Sequence, residues 1–488
     1  MKRTVMLLLS WMLVLSSFLS AQADEPVVIH LTRACFNLPS PDQAQVQKVE
    51  DAINARLKER INVEIRLTDV GSDNYYQYVR ESLNRGEINL LWTASWESDI
   101  NPNVLVAQGE VYDITDLLPG TALYASMSES QWEDTRFQDR NYFIPIYKDN
   151  VEGYDFMFRR DLADAHGWDV FSVHKLEDLE PMLEDAKNDG LKYPFLTQNT
   201  AMFYRWYIDR FDFFTADAST NFFAVDRKTN QVINTLQTPE YASFCKLMGR
   251  WMEKGYLSED DMNRVTKDTT TKTKDWAISW WTDVPVNAEA SSRYGQPVVV
   301  QSATERYEHS SSSLGSCYCI TKNSTPEQVK AAIDFLGLLF TDRALADIYT
   351  FGIEGEDFEY TRTDQQSMRH ITQHSDKYNH SMWESASAMI VTPLADEPDN
   401  KSDLYIDFNC GANVSAASGF RINPTPVMKE FLACRDLFDS YGFILENGGI
   451  PEAQVDACIA EYQKALNEAG YQIVLEECQR QYEAWKAE

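Results

Sequence analysis

Positive charge is what this sequence most lacks: its 488 residues carry 44 lysines and arginines against 75 aspartates and glutamates, a formal net charge of −31. So acidic a surface is repelled by phosphate backbones and by anionic lipid, which argues against nucleic acid and membrane surfaces as partners. It serves solubility and says nothing about a neutral ligand. Long apolar runs are missing after the first twenty or so residues, so no later segment is suited to cross a bilayer as a helix. Local catalytic signatures are missing too. There is no G-x-S-x-G elbow, no P-loop, no G-x-G-x-x-G and no His-Glu-x-x-His. An enzyme reading is thereby weakened and reduced to chemistries without a local signature, such as glycoside hydrolysis by paired carboxylates. No internal repeat is present.

What is present begins with Met1-Lys2-Arg3, an apolar run from Val5 to Leu19, and the small residues Ala21-Gln22-Ala23. This is the pattern of a secretory signal peptide over 1–23, with cleavage after Ala23. Without Lys2 and Arg3 the mature chain has 42 basic against 75 acidic residues, a net of −33. The first cysteine, Cys35, lies beyond the acidic start, so no lipobox is seen, and the expected location is extracytoplasmic. Export permits disulfides among Cys35, Cys245, Cys317, Cys319, Cys410, Cys434, Cys458 and Cys478, but their pairing is not legible from sequence. A chain this long suits two large lobes better than one core.

Strand and helix patterns alternate. Val27 to Ala34, Asn62 to Val70 and Ile88 to Ala94 read as strands. Between them a helix opens at Ser40-Pro41-Asp42-Gln43, with Ser40 as cap, and a second covers Tyr75 to Asn84 and stops near Gly86. This order predicts a parallel sheet with right-handed crossovers, and ligands beyond the carboxyl ends of its strands. Cys35-Phe36-Asn37 and Ser95-Trp96 fall there. Asn141 to Tyr147 reads as a strand leaving this lobe. A second α/β region holds a strand at Tyr154 to Phe158, helices near Leu176 to Asn188 and from Thr238-Pro239-Glu240, and a buried strand from Trp276 to Trp281. Pro297 to Gln301 and Cys317 to Thr321 are further strands. Thr325-Pro326-Glu327-Gln328 opens another helix, and helices from Thr425-Pro426 and Pro451, then through Val474 to Trp485, close the chain. Thr269 to Thr273 and Ser310 to Ser313 read as surface loops. The expected division is lobe 1 from 24–147 plus 286–326, lobe 2 from 148–285 plus 327–417, and a helical domain, 418–488, packed on lobe 2.

Several stretches resemble one family. Ser418-Gly419-Phe420-Arg421-Ile422-Asn423-Pro424-Thr425-Pro426-Val427 with the helices after it, Phe351-Gly352-Ile353-Glu354-Gly355-Glu356-Asp357-Phe358, Leu90 to Trp96, and Asn141 to Pro145 are similar in order and spacing to the extracellular solute-binding proteins of carbohydrate ABC transporters. The match is to the subgroup with a small helical C-terminal domain of unknown function. The chain departs from it in lacking the lipoprotein cysteine, and in Glu384-Ser385-Ala386-Ser387 where Gly-Asn-Gln often follows the tryptophan. The resemblance implies an α/β, two-lobed periplasmic-binding-protein fold with discontinuous lobes, hinge strands, a central cleft and a helical C-terminal segment. It implies a monomer that captures a sugar or oligosaccharide and delivers it to an ABC permease, or to a sensor kinase, with no cofactor and no chemistry. The alternatives are an exported glycoside hydrolase and a binder of another solute such as a peptide.

Sugar sites pair aromatic faces with planar polar groups. On cleft-edge loops the candidate ligand-binding residues are Ser95, Trp96, Tyr147, Asp149, Phe203, Tyr204, Trp206, Trp281, Asp283 and Trp383. For each, packing in a core is the commoner role of an aromatic in so large a chain. Strand alternation lets only one of Trp280 and Trp281 face a given side, and Trp281, nearer the strand end, is preferred. His370, His374 and His380 have zinc-compatible spacing on a helix, but a polar surface helix without metal is the expected reading. Cys317-Tyr318-Cys319 reads as buried thiols or a disulfide.

Overall fold

The computed structural model describes residues 25–487 except 201, 215–217, 267, 283, 285–289, 292, 293 and 309–311. The expected signal peptide and Asp283 therefore lie outside the described residues. Along the chain come β1 (Val27–Cys35), α1 (Gln43–Leu57), β2 (Val63–Gly71), α2 (Ser72–Arg85), β3 (Leu90–Thr93) and β4 (Phe143–Pro145). Next are β5 (Asp155–Arg159), β6 (Tyr193–Phe195), β7 (Phe211–Asp212), β8 (Phe223–Asp226), β9 (Gln231–Asn234), α3 (Pro239–Lys254), β10 (Trp276–Trp281) and β11 (Val298–Ser302). The path then runs through β12 (Tyr307–Glu308), β13 (Cys317–Ile320), α4 (Pro326–Leu339), α5 (Arg343–Phe351), β14 (Phe358–Thr361), β15 (His370–Gln373) and β16 (Asn413–Val414). The helices α6 (Met428–Arg435), α7 (Gly442–Glu446), α8 (Val455–Ala469) and α9 (Tyr471–Lys486) follow.

β1 is parallel to β2 in register, from Val27 opposite Val63 to Cys35 opposite Gly71, and parallel to β3 on its other side. The sheet continues antiparallel through β13 and β4, in the order β2-β1-β3-β13-β4. From Leu31 to Cys35 every residue of β1 is buried, as a strand covered by helices on both faces must be. The α1 cap is Asp42 rather than Ser40: its carboxylate accepts from Ala44 N at 2.9 Å and Gln45 N at 3.2 Å. α2 ends at Gly86 with φ of 69°, a left-handed conformation that costs glycine least. The second sheet has the order β11-β5-β10-β6 and a separate core.

The lobe boundaries differ from the expected ones. β11 pairs antiparallel with β5 over Val298–Ser302, so these residues belong to the second lobe and not, as expected for 286–326, to the first. β13 and the apolar faces of α4 and α5 join the first core, which extends to Tyr405, so 327–405 is lobe 1, not lobe 2. The reason is pairing: an apolar strand satisfies either sheet locally, and only its partner decides. Residues 417–482 pack into the second core, with Phe420 against Phe214 at 5.2 Å and against Tyr482 at 5.2 Å.

Three crossings join the lobes side by side. β12 runs parallel to β16, and Tyr307 bridges antiparallel to Glu152. Arg306 locks them, donating from Nη2 to both carboxylate oxygens of buried Asp155 at 2.8 and 3.0 Å, with its guanidinium over Phe408. Asn409 accepts from Asn150 N at 2.8 Å and donates to Lys148 O at 2.7 Å.

Other expectations change. His370 lies on strand β15, paired with β14, not on a helix. It is buried, with Nδ1 2.7 Å from Leu394 O and Nε2 2.6 Å from Asp399 Oδ1. Among the described residues no group of three or more His, Cys, Asp or Glu could hold a metal. All eight cysteines are free thiols, Cys317 and Cys319 buried among them. Ser312 and Ser313 are not on a surface loop but buried in a short 3-10 turn, and Thr271 is buried too. No described helix is long and apolar enough to cross a membrane.

Candidate ligand cleft

The first lobe builds an aromatic wall at the carboxyl ends of its parallel strands. Trp92, in β3, is wholly buried and donates from Nε1 to Ser316 Oγ at 2.8 Å. Against it lie Phe36, from the loop after β1, and Trp96, from the loop after β3, with ring centroids at 5.6 and 5.8 Å. Trp383 completes the set, 5.0 Å from Phe36 and 6.3 Å from Trp96. Trp96 is 37% exposed, and its Nε1 donates to Gly315 O at 2.8 Å. Its ring is thus pinned while one face stays open.

Trp383 sits on a 3-10 turn, Met382–Glu384, whose geometry is set from below. Glu384 Oε1 accepts from Ser381 N at 2.8 Å and lies 3.2 Å from His380 Nδ1. His380 Nε2 is 2.8 Å from Asp69 Oδ2, and Asp69 accepts two bonds from Arg33, at 2.7 and 3.2 Å. Arg33 also donates to Tyr349 O and to the Tyr378 hydroxyl, and stacks 4.0 Å from the Tyr349 ring centroid. Burial alone would raise the Asp69 pKa, but Arg33 and His380 hold it well below the ordinary carboxylate range. Burial and the Arg33 charge would lower that of His380, yet Cys35 and Asp69 carry it well above its ordinary value.

The second lobe answers with Tyr154, Tyr204 and Trp280. The Arg205 guanidinium lies 4.2 Å from the Trp280 ring centroid and 5.4 Å from that of Tyr154. Tyr204 donates its hydroxyl to Glu152. Gln198 and Asn199, with φ of 58° and 56°, turn the chain at the cleft, and Gln198 Nε2 donates to Ser279 Oγ at 2.8 Å. Lys148 and Asp149, paired at 2.6 Å, lie on the first crossing. The space enclosed is about 960 Å³. Aromatic faces from both lobes, flanked by carboxylates, amides and guanidinium groups, suit a polar ligand with apolar faces of its own.

Five of the expected residues line this cleft: Trp96, Asp149, Tyr204, Trp281 and Trp383. Four do not. Ser95 is buried, its N–H donating to Leu314 O at 2.8 Å. Tyr147 packs on the first core, Phe203 stacks on Tyr207 at 4.6 Å, and Trp206 stacks on Phe156 at 4.9 Å. Trp281 borders the cleft with a ring only 1% exposed, packed 5.9 Å from Tyr294, while Trp280 presents the more open ring. Arg205, Gln198, Asn199, Tyr76 and Asp73 line the cleft as well, although none is among the expected residues. The last two open α2, just after the carboxyl end of β2, so the strand-end rule could have found them. Arg435, Asp436, Phe438, Asp439 and Phe443 also line the cleft. They sit in the C-terminal segment, and no local signal marks them.

Residues 52–354 match the family model described as bacterial extracellular solute-binding protein, and 416–487 match a domain of unknown function, DUF3502. The chain is 21% identical over 441 residues to a Streptococcus pneumoniae protein named carbohydrate ABC transporter substrate-binding protein, spanning 88% of this chain and 86% of that one. Its fold is similar to the crystal structure of the N-glycan transport solute binding protein from Streptococcus pneumoniae in complex with Man1GlcNAc. That likeness has TM-score 0.77 at 19% identity, covering 94% of this chain and 100% of the other. It is also similar, with TM-score 0.60 at 13% identity and coverage of 94% and 99%, to a Streptococcus pneumoniae substrate binding protein in complex with kestose. By sequence over more than half its length, and by fold over nearly all of it, the chain belongs to the bacterial extracellular solute-binding proteins, carriers rather than enzymes.

Proposed function

We propose that this protein captures an oligosaccharide between its lobes, outside the cytoplasm, and hands it as a monomer to an ABC permease. The observation that carries the reading is the aromatic wall of Phe36, Trp96 and Trp383 in one lobe and the half-buried Trp280, backed by the buried Tyr154 and Tyr204, in the other, around one cleft rimmed by carboxylates and amides. Aromatic faces cover the C–H faces of pyranose rings while the polar rim takes the hydroxyls. The three crossings, paired side by side at 152, 307–308 and 413–414, give the lobes an axis to close about. The glycan-named relatives point to the same class of ligand.

The test is a thermal-shift screen of residues 24–488 against mono- and oligosaccharides, with peptides and amino acids included. A ligand that binds only the folded form stabilises it by about 2.7 kcal/mol at a hundred times its Kd, a readily visible shift. A saturable shift with one oligosaccharide class supports the reading. A shift with peptides alone replaces the ligand class. Long incubation should leave the bound glycan intact, and release of new reducing ends by the protein would contradict a carrier.

Tryptophan substitutions separate binding from packing. Trp96→Ala should weaken the Kd by roughly tenfold or more, the loss of an aromatic anchor, with little change in melting temperature. Trp281→Ala should instead cost about 3–5 kcal/mol of stability, since its ring fills core. Titration by intrinsic fluorescence alongside thermal unfolding reads both. Unchanged binding in Trp96→Ala would place the ligand elsewhere.

A further inference from the structure

We infer that the C-terminal helical segment forms a third wall of the cleft, a subsite for the far end of an oligosaccharide, so that it sets the chain length bound. The inference rests on the carbohydrate reading above and deepens it. This segment shares its core with lobe 2, yet it reaches lobe 1 at two places. Arg421 Nη2 donates to Asp134 O and, at 2.8 Å, to Ser313 Oγ, near the crossings. Arg435, at the end of α6, donates to Asp99 on the loop that carries Trp96. Its guanidinium also pairs with Asp436 at 3.0 Å.

This wall is built rather than loosely hung. Phe438 and Phe443 are buried and form a small core of their own with Ala218, their centroids 6.4 Å apart. Arg264 stacks 4.1 Å from the Phe443 centroid and pairs with Asp439 at 2.5 Å. Carboxylates and guanidinium groups thus alternate along the wall, each able to take a sugar hydroxyl as acceptor or donor. Facing it from lobe 1 is Tyr76, 44% exposed, an aromatic surface for a further ring. The composition contrasts with the aromatic walls near Trp96 and Trp280. Stacking there holds the first rings, and polar pairing at this end reads the distal ones. A ligand too short to arrive leaves Arg435 on Asp99.

The experiment titrates the mature chain and two variants, Arg435→Ala and Asp439→Ala, with manno-, malto-, xylo- and fructo-oligosaccharides of two to six residues. Asp439 has a side chain 68% exposed, so its loss spares the fold. The expected result is a penalty that grows with ligand length: disaccharide Kd within about twofold of the unaltered protein, and the longest ligand weakened about tenfold. Equal penalties at every length, or none, overturn the subsite and leave the carbohydrate reading standing. No binding of any of these sugars by the unaltered protein overturns both.

Discussion

Arg33→Met is expected to lower the stability of the protein by about 3–5 kcal/mol. Arg33 and Asp69 are both wholly buried, so removing the guanidinium strands a carboxylate beside His380 without its main counter-charge. The pair is not valuable for attraction alone; breaking half of it is what costs. Arg33→Met combined with Asp69→Asn should therefore be less damaging than the sum of the two single changes. Chemical unfolding of the four proteins gives the cycle, and a single-mutant loss below about 1 kcal/mol would show the charge to be solvated instead. The same network orders the Met382–Glu384 turn, so a folded Arg33 variant should also bind its ligand more weakly through Trp383. Its pH dependence has a defined sign. Asp69, depressed in the fold, stabilises above the ordinary carboxylate range, and that contribution is lost as pH falls through its folded value. His380, raised in the fold, stabilises at and below its ordinary range, and its contribution is lost as pH rises through its folded value.

Glu446→Gln should act in the opposite sense and stabilise the protein at alkaline pH. Glu446 is buried in α7, where Oε2 accepts from Phe203 N at 3.1 Å. Burial pushes its pKa up to about 8, against weaker lowering by the Phe203 and Met202 amides, Arg205 and Tyr241. The folded state thus binds a proton that the unfolded chain releases near pH 4.5. Stability from this group is full below pH 4.5, falls as pH rises toward about 8, and is level above. The loss across that window is on the order of a few kcal/mol. Urea unfolding at pH 5.5 and 8.5 should show the unaltered protein losing that much relative to Glu446→Gln. Parallel pH dependence in both would mean that water reaches the carboxyl. The position matters for function, because α7 also carries Phe443 and Glu446 anchors the segment that presents Tyr204 and Arg205.

Much of the fold was written locally. Thr325 caps α4 with a capping box closed by Gln328, Thr238 caps α3 ahead of Pro239, and Gly470, with φ of 98°, ends α8. Each depends on a few neighbouring atoms, so the residues suffice. The four-residue spacing of His370 and His374 suggests a helix, yet Ile371 and Thr372 between them are β-branched and favour the strand they form. At the candidate site, Trp96 was legible because it follows a parallel strand directly. Phe203 and Trp206 were not separable from Tyr204 between them, since a short helix turns each side chain toward a different neighbour.

The sequence by itself determined most of the longer helices and strands, several of their caps, the parallel start of the first sheet, the acidic surface and the family, because these follow from propensity, periodicity and motif order within short spans. Only the tertiary structure decided which sheet β11 joins, which of two adjacent tryptophans opens to the cleft, and that helices from Met428 onward help to enclose it. Those outcomes turn on strand pairing and on which layer covers each face, energies shared between residues hundreds of positions apart, as Arg435 and Asp99 are. No local pattern carries them.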